Sequence, residues 1–239
     1  MKIMGKKLIC ALVIVTGLSS CIYSGKIPNK REKTGKMTEK TVSVKPFERI
    51  EVGSSFHVYY RQGDSLTINI YAPEKLISRI SVRSERGTLY LSDNRTLKDW
   101  SWNMSDYDVK IYVTSPDLTK VSIVGSGEFE ATHHIDTDVL TLNVAGSGNI
   151  TLNDVICDKA VAGIAGSGEI SINKIVAAES ELSISGSGDM DIRFENSGEV
   201  QASVVGSGDM ELKGKIRCIQ SSSMSGSGKI NTEELTTGR

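Results

Sequence analysis

The tripeptide Gly-Ser-Gly recurs six times in the second half of this chain, at Gly125–Gly127, Gly146–Gly148, Gly166–Gly168, Gly186–Gly188, Gly206–Gly208 and Gly226–Gly228. The intervals are 21, 20, 20, 20 and 20 residues. A fixed period of this length marks a repeat architecture and must be read before any local signal. The flanking residues keep the same register. Two residues before each first glycine stand Ile123, Val144, Ile164, Ile184, Val204 and Met224. Four after it stand Phe129, Ile150, Ile170, Met190, Met210 and Ile230, and six after it Ala131, Leu152, Ile172, Ile192, Leu212 and Thr232. Polar residues lie between them, so each repeat contributes strands with one buried face.

A flexible linker would carry no such ordered pattern. A phosphate-binding glycine loop would open a helix, and here a strand follows every copy. Gly-Ser-Gly therefore reads as a tight corner, with glycine supplying positive φ at little steric cost. Asn196-Ser197-Gly198 falls half a period later and reads as a second corner opposite the first. Two strands and two corners in about 20 residues describe one coil of a flattened β-solenoid. Equivalent strands of successive coils are expected to pair in parallel about 4.8 Å apart, stacking the apolar columns into one core. An antiparallel meander, sandwich or barrel would explain the alternation but not identical corners at this spacing. The last coil is poor in core, with Ser221–Ser223 all polar and Ser222 at an inward place. That suits an end facing water or covered by a partner.

The chain begins as an exported protein would. Lys2, Lys6 and Lys7 precede an apolar run, Leu8–Val15, that is too short to span a bilayer. Leu18-Ser19-Ser20-Cys21 follows and resembles a bacterial lipobox. The expected organisation is a signal peptide over 1–20, a lipidated tether over 21–40 and one β domain over 41–239, divided into 41–120 and the repeat array 121–239. Cys21 would carry the lipid that holds the protein at a membrane. Residues 22–45 hold seven basic and two acidic residues, and 121–239 hold eight basic and seventeen acidic. A basic tether suits anionic headgroups or serves as a solvated spacer. An acidic body argues against nucleic acid as a partner. Ile22-Tyr23-Ser24 follow Cys21 without an acidic run, which leaves both periplasmic and outer-surface addresses open. Cys157 and Cys218 are three coils apart, roughly 14 Å along the axis, too far to bridge. Both are expected to be reduced.

Residues 41–120 read as strands without Gly-Ser-Gly: TVSV, FERIEV, SFHVYY, SLTINIYA, ISVR, TLYLS and DVKIYVTS, with a turn at Gly63-Asp64. They are expected to cap the open end and form the first irregular coils. The order FERIEV, GSSFHVYYRQGD, APEKL, GTLYLS, VKIYVTSPDL and then VSIVGSGEFE with repeating Gly-Ser-Gly resembles the bacterial DUF2807 family, the putative auto-transporter adhesin head GIN domain, over about residues 43–234. The resemblance implies a right-handed parallel β-helix and a cell-adhesion role. The lipoprotein signal is similar to those of Bacteroidetes members and implies the outer membrane of the cell envelope. Because the sequence closes at Arg239, soon after the sixth Gly-Ser-Gly, no membrane β-barrel of an autotransporter is expected to follow.

Candidate chemistry is sparse. Glu128, Asn149, Glu169, Asp189, Asp209 and Lys229 follow the corners and form an outward polar column. Asp189 and Asp209 would be strand neighbours, read either as a calcium ladder or as solvated carboxylates that discourage edge pairing. The solvated reading is favoured, because the Asp-rich nonapeptide of calcium solenoids is missing. Trp100 and Trp102 either grip a sugar or partner from a loop or plug the solenoid end. His133 and His134 should face opposite sides of a strand, and His57 stands alone in its strand pattern. Lys174, Arg193 and Lys213 share an expected outward column with Asn153, the ingredients of lyase chemistry or simply a charged face. The sequence thus predicts no catalytic residue, no metal site and no cofactor. It predicts an exported, non-catalytic solenoid that binds an unidentified protein or glycan, with a polysaccharide-active enzyme or a structural periplasmic scaffold as alternatives.

Overall fold

The structure, a computed structural model, describes residues 35–94 and 107–238. Cys21 with the signal segment, and Trp100 and Trp102, lie outside the described residues. Fifteen strands follow in order: β1 (Met37–Thr41), β2 (Arg49–Val52), β3 (His57–Gln62), β4 (Thr67–Pro73), a 3-10 helix (Glu74–Arg79), β5 (Ile80–Glu85), β6 (Thr88–Asp93), β7 (Lys110–Ser115), β8 (Lys120–Gly125), β9 (Glu128–Gly146), β10 (Asn149–Gly166), β11 (Glu169–Gly186), β12 (Asp189–Gly206), β13 (Asp209–Gly226), β14 (Lys229–Asn231) and β15 (Leu235–Thr237). They wind into a β-solenoid of about six turns.

Strands β9 to β13 each run a whole coil between two Gly-Ser-Gly corners and pair in parallel with the next. Ile164 lies beside Ile184, and Ile184 beside Val204, all three buried. The expected winding is therefore present, and the aliphatic columns form one continuous core.

The number of corners differs from the expectation. In β11 the buried residues are Ile170 and Ile172, then Ile175 and Ala177, then Ser180, Leu182 and Ile184. Asn173-Lys174 and Ala178-Glu179 are pairs of adjacent residues that both stay out of the core. A strand that keeps two neighbours out of the core in succession must bend between them. Each coil thus has three short faces: face one after Gly-Ser-Gly, face two between the plainer bends, and face three leading into the next Gly-Ser-Gly. Asn196-Ser197-Gly198 is not a single corner opposite the first but leads into the second of these bends, where Gly198-Glu199 stay out of the core beside Ala178-Glu179. Ser197 points inward and is buried, its Oγ donating to the Ile175 carbonyl oxygen at 3.0 Å. Ahead of it, Glu195-Asn196 form a bend in which Asn196 takes φ +50°. The 21-residue interval also has a local cause. The first bend of β9 holds three outward residues, Thr132-His133-His134, where β10 has two.

The two glycines of a corner are needed for different reasons. Gly186 takes φ +134°, and a Cβ there would sit 2.3 Å from the Gly166 carbonyl oxygen. Gly188 has no positive φ, but its Cβ would stand 2.5 Å from the Gly168 oxygen and 2.7 Å from Ile164 Cγ2. The same pattern recurs in the neighbouring coils. Ser187 N–H donates to Gly166 O at 2.8 Å and Asp189 N–H to Gly168 O at 3.0 Å, so the ladder continues through the corner.

The N-terminal region is more ordered than an irregular cap. Val52 pairs beside Ile123 and His57 beside Glu128, so β2 and β3 form a coil whose corner is Gly53-Ser54-Ser55-Phe56. Buried Phe56 stands where later corners have their second glycine. Strands β6 and β7 then stack on the far side of that coil, in parallel with β2 and β3. Face one consequently runs β1-β4-β7-β3-β9, and face three runs β5-β6-β2-β8-β9. The outermost strands, β1 with β4 and β5 with β6, pair antiparallel and close this end. The Gly63-Asp64 turn does join β3 to β4, but β7 lies between them. TVSV is not a strand: only Thr41 belongs to β1, which begins within the segment expected as tether. Among the described residues no strand covers face two here. Instead the Gln62 amide donates to the Asp136 carbonyl at 2.8 Å and accepts from the Asp136 N–H at 2.8 Å, which satisfies that edge with a side chain.

Cys157 is buried, Cys218 half-buried, and both are free, as expected. Burial pushes the Cys157 thiol from 9.0 up to about 11 and the Tyr60 phenol from 10.0 up to about 12.

The corner and this burial each carry expected outcomes. Gly188→Ala should cost about 2–4 kcal/mol in urea unfolding, because backbone cannot yield to the new methyl. Ser187→Ala in the same corner should change stability by no more than roughly 0.5 kcal/mol. The folded state favours the protonated thiol and phenol, so their contribution is complete below pH 9 and is lost as pH rises through about 11 for the thiol and about 12 for the phenol. Urea midpoints should therefore hold from neutral pH to 9 and fall above it. A thiol reagent at neutral pH should modify Cys218 and reach Cys157 only on unfolding.

Candidate functional site

Because side chains alternate, burying Val58, Tyr60, Ile68, Ile70, Ile111 and Val113 sends their neighbours outward on face one. Those neighbours are His57 and Tyr59 on β3, Lys110 and Tyr112 on β7, and Asn69 and Tyr71 on β4. Register brings them together: Tyr59 lies beside Tyr112 on one side and Glu130 on the other, and His57 beside Lys110 and Glu128. The Tyr59 and Tyr112 rings stack at 5.1 Å, and the His57 ring stacks on Tyr59 at 4.2 Å. His57 Nδ1 is 3.3 Å from Glu128 and Nε2 is 3.4 Å from Glu130. The Tyr59 hydroxyl is 3.3 Å from His57 Nδ1. Burial raises the Tyr59 phenol, and the hydrogen bond to Asp108, 3.3 Å away, raises the Lys110 ammonium. Both stay in their protonated forms at neutral pH. Tyr112 is 46% exposed and Tyr71 40%, so two rings remain available to a ligand. A hollow of about 290 Å³ opens at the His57 end of the stack, lined by His57, Tyr107, Asp108, Ser126 and Glu128.

The rest of face one continues this surface as a polar ladder. Glu128, Asn149, Glu169, Asp189, Asp209 and Lys229 stand in register, as the period requires. Asp189 and Asp209 are neighbours, and Asp189 Oδ1 accepts the Asp209 N–H at 3.1 Å. One rung over, Lys213 bridges Asp191 at 2.9 Å and Glu211 at 3.0 Å. Among the described residues no group of three or more His, Cys, Asp or Glu is arranged to hold a metal ion.

Three placements differ from the sequence reading. His57 is not alone but sits between two carboxylates that the winding brings from β9. His133 and His134 do not face opposite sides; both are exposed in the widened bend, and His134 lies 3.2 Å from Asp154. Lys174 leaves the column of Asn153, Arg193 and Lys213, because it is the second residue of a bend, where it meets Glu195 at 3.0 Å and Asp154 at 3.6 Å. Asn173 takes that column place, 3.3 Å from Asn153. The tyrosine stack was not singled out from sequence. Its signal, Tyr at the outward parity of HVYY and KIYV, is visible in the chain, but their adjacency depends on β7 returning beside β3.

Comparison with known proteins agrees with this architecture. The model of the DUF2807 family, described as putative auto-transporter adhesin, head GIN domain, matches residues 46–173 and 160–239, and the chain belongs to this family. Among solved structures, a putative adhesin from Bacteroides fragilis is 24% identical with a TM-score of 0.61, covering 82% of this chain and 96% of that one. A putative lipid binding protein from Parabacteroides distasonis is 21% identical with a TM-score of 0.59, covering 82% and 96%. A putative adhesin from Parabacteroides merdae is 19% identical with a TM-score of 0.56, covering 82% and 95%. At these identities the likeness is one of fold. No curated protein matches the sequence. The family description supports an adhesion-type role at the cell surface or envelope.

Proposed function

We propose that this member of the DUF2807 family is an exported lipoprotein that uses face one of its solenoid to bind carbohydrate in adhesion, without catalysis. The observation that carries this reading is the tyrosine stack of β3 and β7, continuous with the carboxylate and amide ladder on one sheet. The apolar C–H face of a pyranose ring packs on an exposed aromatic ring, and its hydroxyls donate to carboxylates and amide oxygens. Tyrosine offers large contact area with few rotamers to freeze, which suits it to anchor a binding surface. Along the ladder, acceptors repeat at the strand spacing of about 4.8 Å, so further sugars of a chain find weaker, repeated contacts. Cys21 would supply the lipid anchor and the basic tether its contact with anionic headgroups.

The lyase-like alternative needs a base on the same face. Lys213 is the best-placed amine, but hydrogen bonds to Asp191 and Glu211 raise its pKa and keep it protonated. An ammonium held in that form is a poor base, so this column offers no ready proton acceptor. A purely structural scaffold would give exposed tyrosines on one face no task.

A glycan array probed with the full chain should show selective binding, weakened about tenfold or more by Tyr112→Ala. Asp189→Ala with Asp209→Ala should weaken only longer glycans. Glycan shortening by the wild-type chain that these aspartate substitutions abolish would establish the enzyme reading instead. In the native host, Cys21→Ser should move the protein from the membrane to the soluble fraction; retention in the membrane would refute lipid anchoring.

A further inference from the structure

At the C-terminal end of the solenoid the three faces finish differently. Strand β14 pairs with β13 at Asp209–Glu211 and covers face one, and β15 pairs at Gly214–Ile216 and covers face two. On face three, β13 from Ile219 to Gly226 pairs with β12 on one side, and among the described residues no strand lies on its other side. A row of backbone donors and acceptors is thus open to pairing.

Two features separate this edge from an ordinary exposed one. The chain from Cys218 to Gly228, Cys-Ile-Gln-Ser-Ser-Ser-Met-Ser-Gly-Ser-Gly, holds no charged residue and no proline, the usual guards of an edge. The opposite end is guarded: β5, outermost on face three there, exposes Arg83 and Glu85 as an ion pair at 3.7 Å. The core column is also unfinished. Met224 is 57% exposed, whereas Ile123, Val144, Ile164, Ile184 and Val204 in the same column are at most 3% exposed.

An edge of this kind accepts one extended strand. We propose that the strand is the same edge of a second copy, running antiparallel about a two-fold axis to give a tail-to-tail dimer. A two-fold sets residue i of one copy against residue j of the other and j against i, and with the axis at Ser223 the two central serines face each other; a charged strand would repel its copy, and this one carries no charge. Its outward side chains are Ser221, Ser223 and Ser225, small enough for close approach and able to hydrogen-bond across strands. Ser223 already makes such a bond to Ser203, at 3.0 Å. Met224 of each copy, unbranched and adaptable, would cover the open column of the other. Pairing with β5 of another copy would instead set the neutral edge against Arg83 and Glu85 and propagate without closing. Since β1 lies at the capped end, the paired copies hold their N-terminal segments at opposite ends of the dimer.

Sedimentation equilibrium of the purified full chain in density-matched detergent tests this. The wild type should reach the dimer mass at micromolar concentrations. Ser221→Lys with Ser223→Lys should raise the dissociation midpoint at least tenfold while circular dichroism and thermal midpoint stay unchanged. Should that variant fail to fold, Ser223→Cys in a Cys218→Ser background decides: it should form a covalent dimer under mild oxidation. A wild type that stays monomeric, a dimer undiminished in the folded lysine variant, or no cross-link through Cys at 223 would each overturn the proposal.

Discussion

The carbonyl oxygen of one corner glycine occupies the space that the next coil's Cβ would fill, and the whole architecture depends on that contact. A tight reversal can stack on its own copy at strand spacing only if no side chain intervenes. With glycine at both places, the backbone ladder passes through the corner: Ser187 and Asp189 donate to the coil below as regularly as residues on the flat faces do. Glycine loses more conformational freedom on folding than any other residue. The offset comes from the neighbours, because each coil buries its aliphatic residues only against adjacent coils. Corner and core therefore stand or fall together.

What could be read from the chain was whatever repeats. The 20-residue period, the columns through Ile164, Ile184 and Val204, the unbridged cysteines and the aligned Asp189 and Asp209 all follow from counting. The third face escaped because its bends carry no fixed residue type. Asn173-Lys174, Asn153-Asp154 and Arg193 alone perform the same turn, and only their outward placement marks it. Cap topology escaped for another reason. The parallel pairings of β2 with β6 and β3 with β7 join segments that no period connects, so neither the Gly53-Ser54-Ser55-Phe56 corner nor the company around His57 could be deduced from spacing. The tyrosine cluster needed both pieces, parity along each strand and the order of strands across the sheet.

The three faces share one core but differ outside. Face one carries aromatic rings at the capped end and carboxylates beyond. Face two holds a groove of about 640 Å³ over Ile156, Val176 and Ala178. On face three Gly163, Ser183, Ser203 and Ser223 follow one another, with little charge. Since the inward residues and the corner glycines hold the fold, the outward residues of the flat faces are free to vary face by face at little cost to the winding. A binding surface here is the outer half of the same strands that make the core, and so inherits their rigidity.

A fold that grows by whole circuits has a length that is quantised. Excising or inserting one unit from glycine to glycine would leave every remaining neighbour in register and shift the tail by about 4.8 Å relative to the cap. A change that is not a full circuit must be absorbed in an outward bend, as the extra residue of Thr132-His133-His134 is; placed at the corner it would set carbonyl against side chain. The molecule is therefore a ruler whose marks are its glycines, able to alter its reach in evolution without redesigning either end.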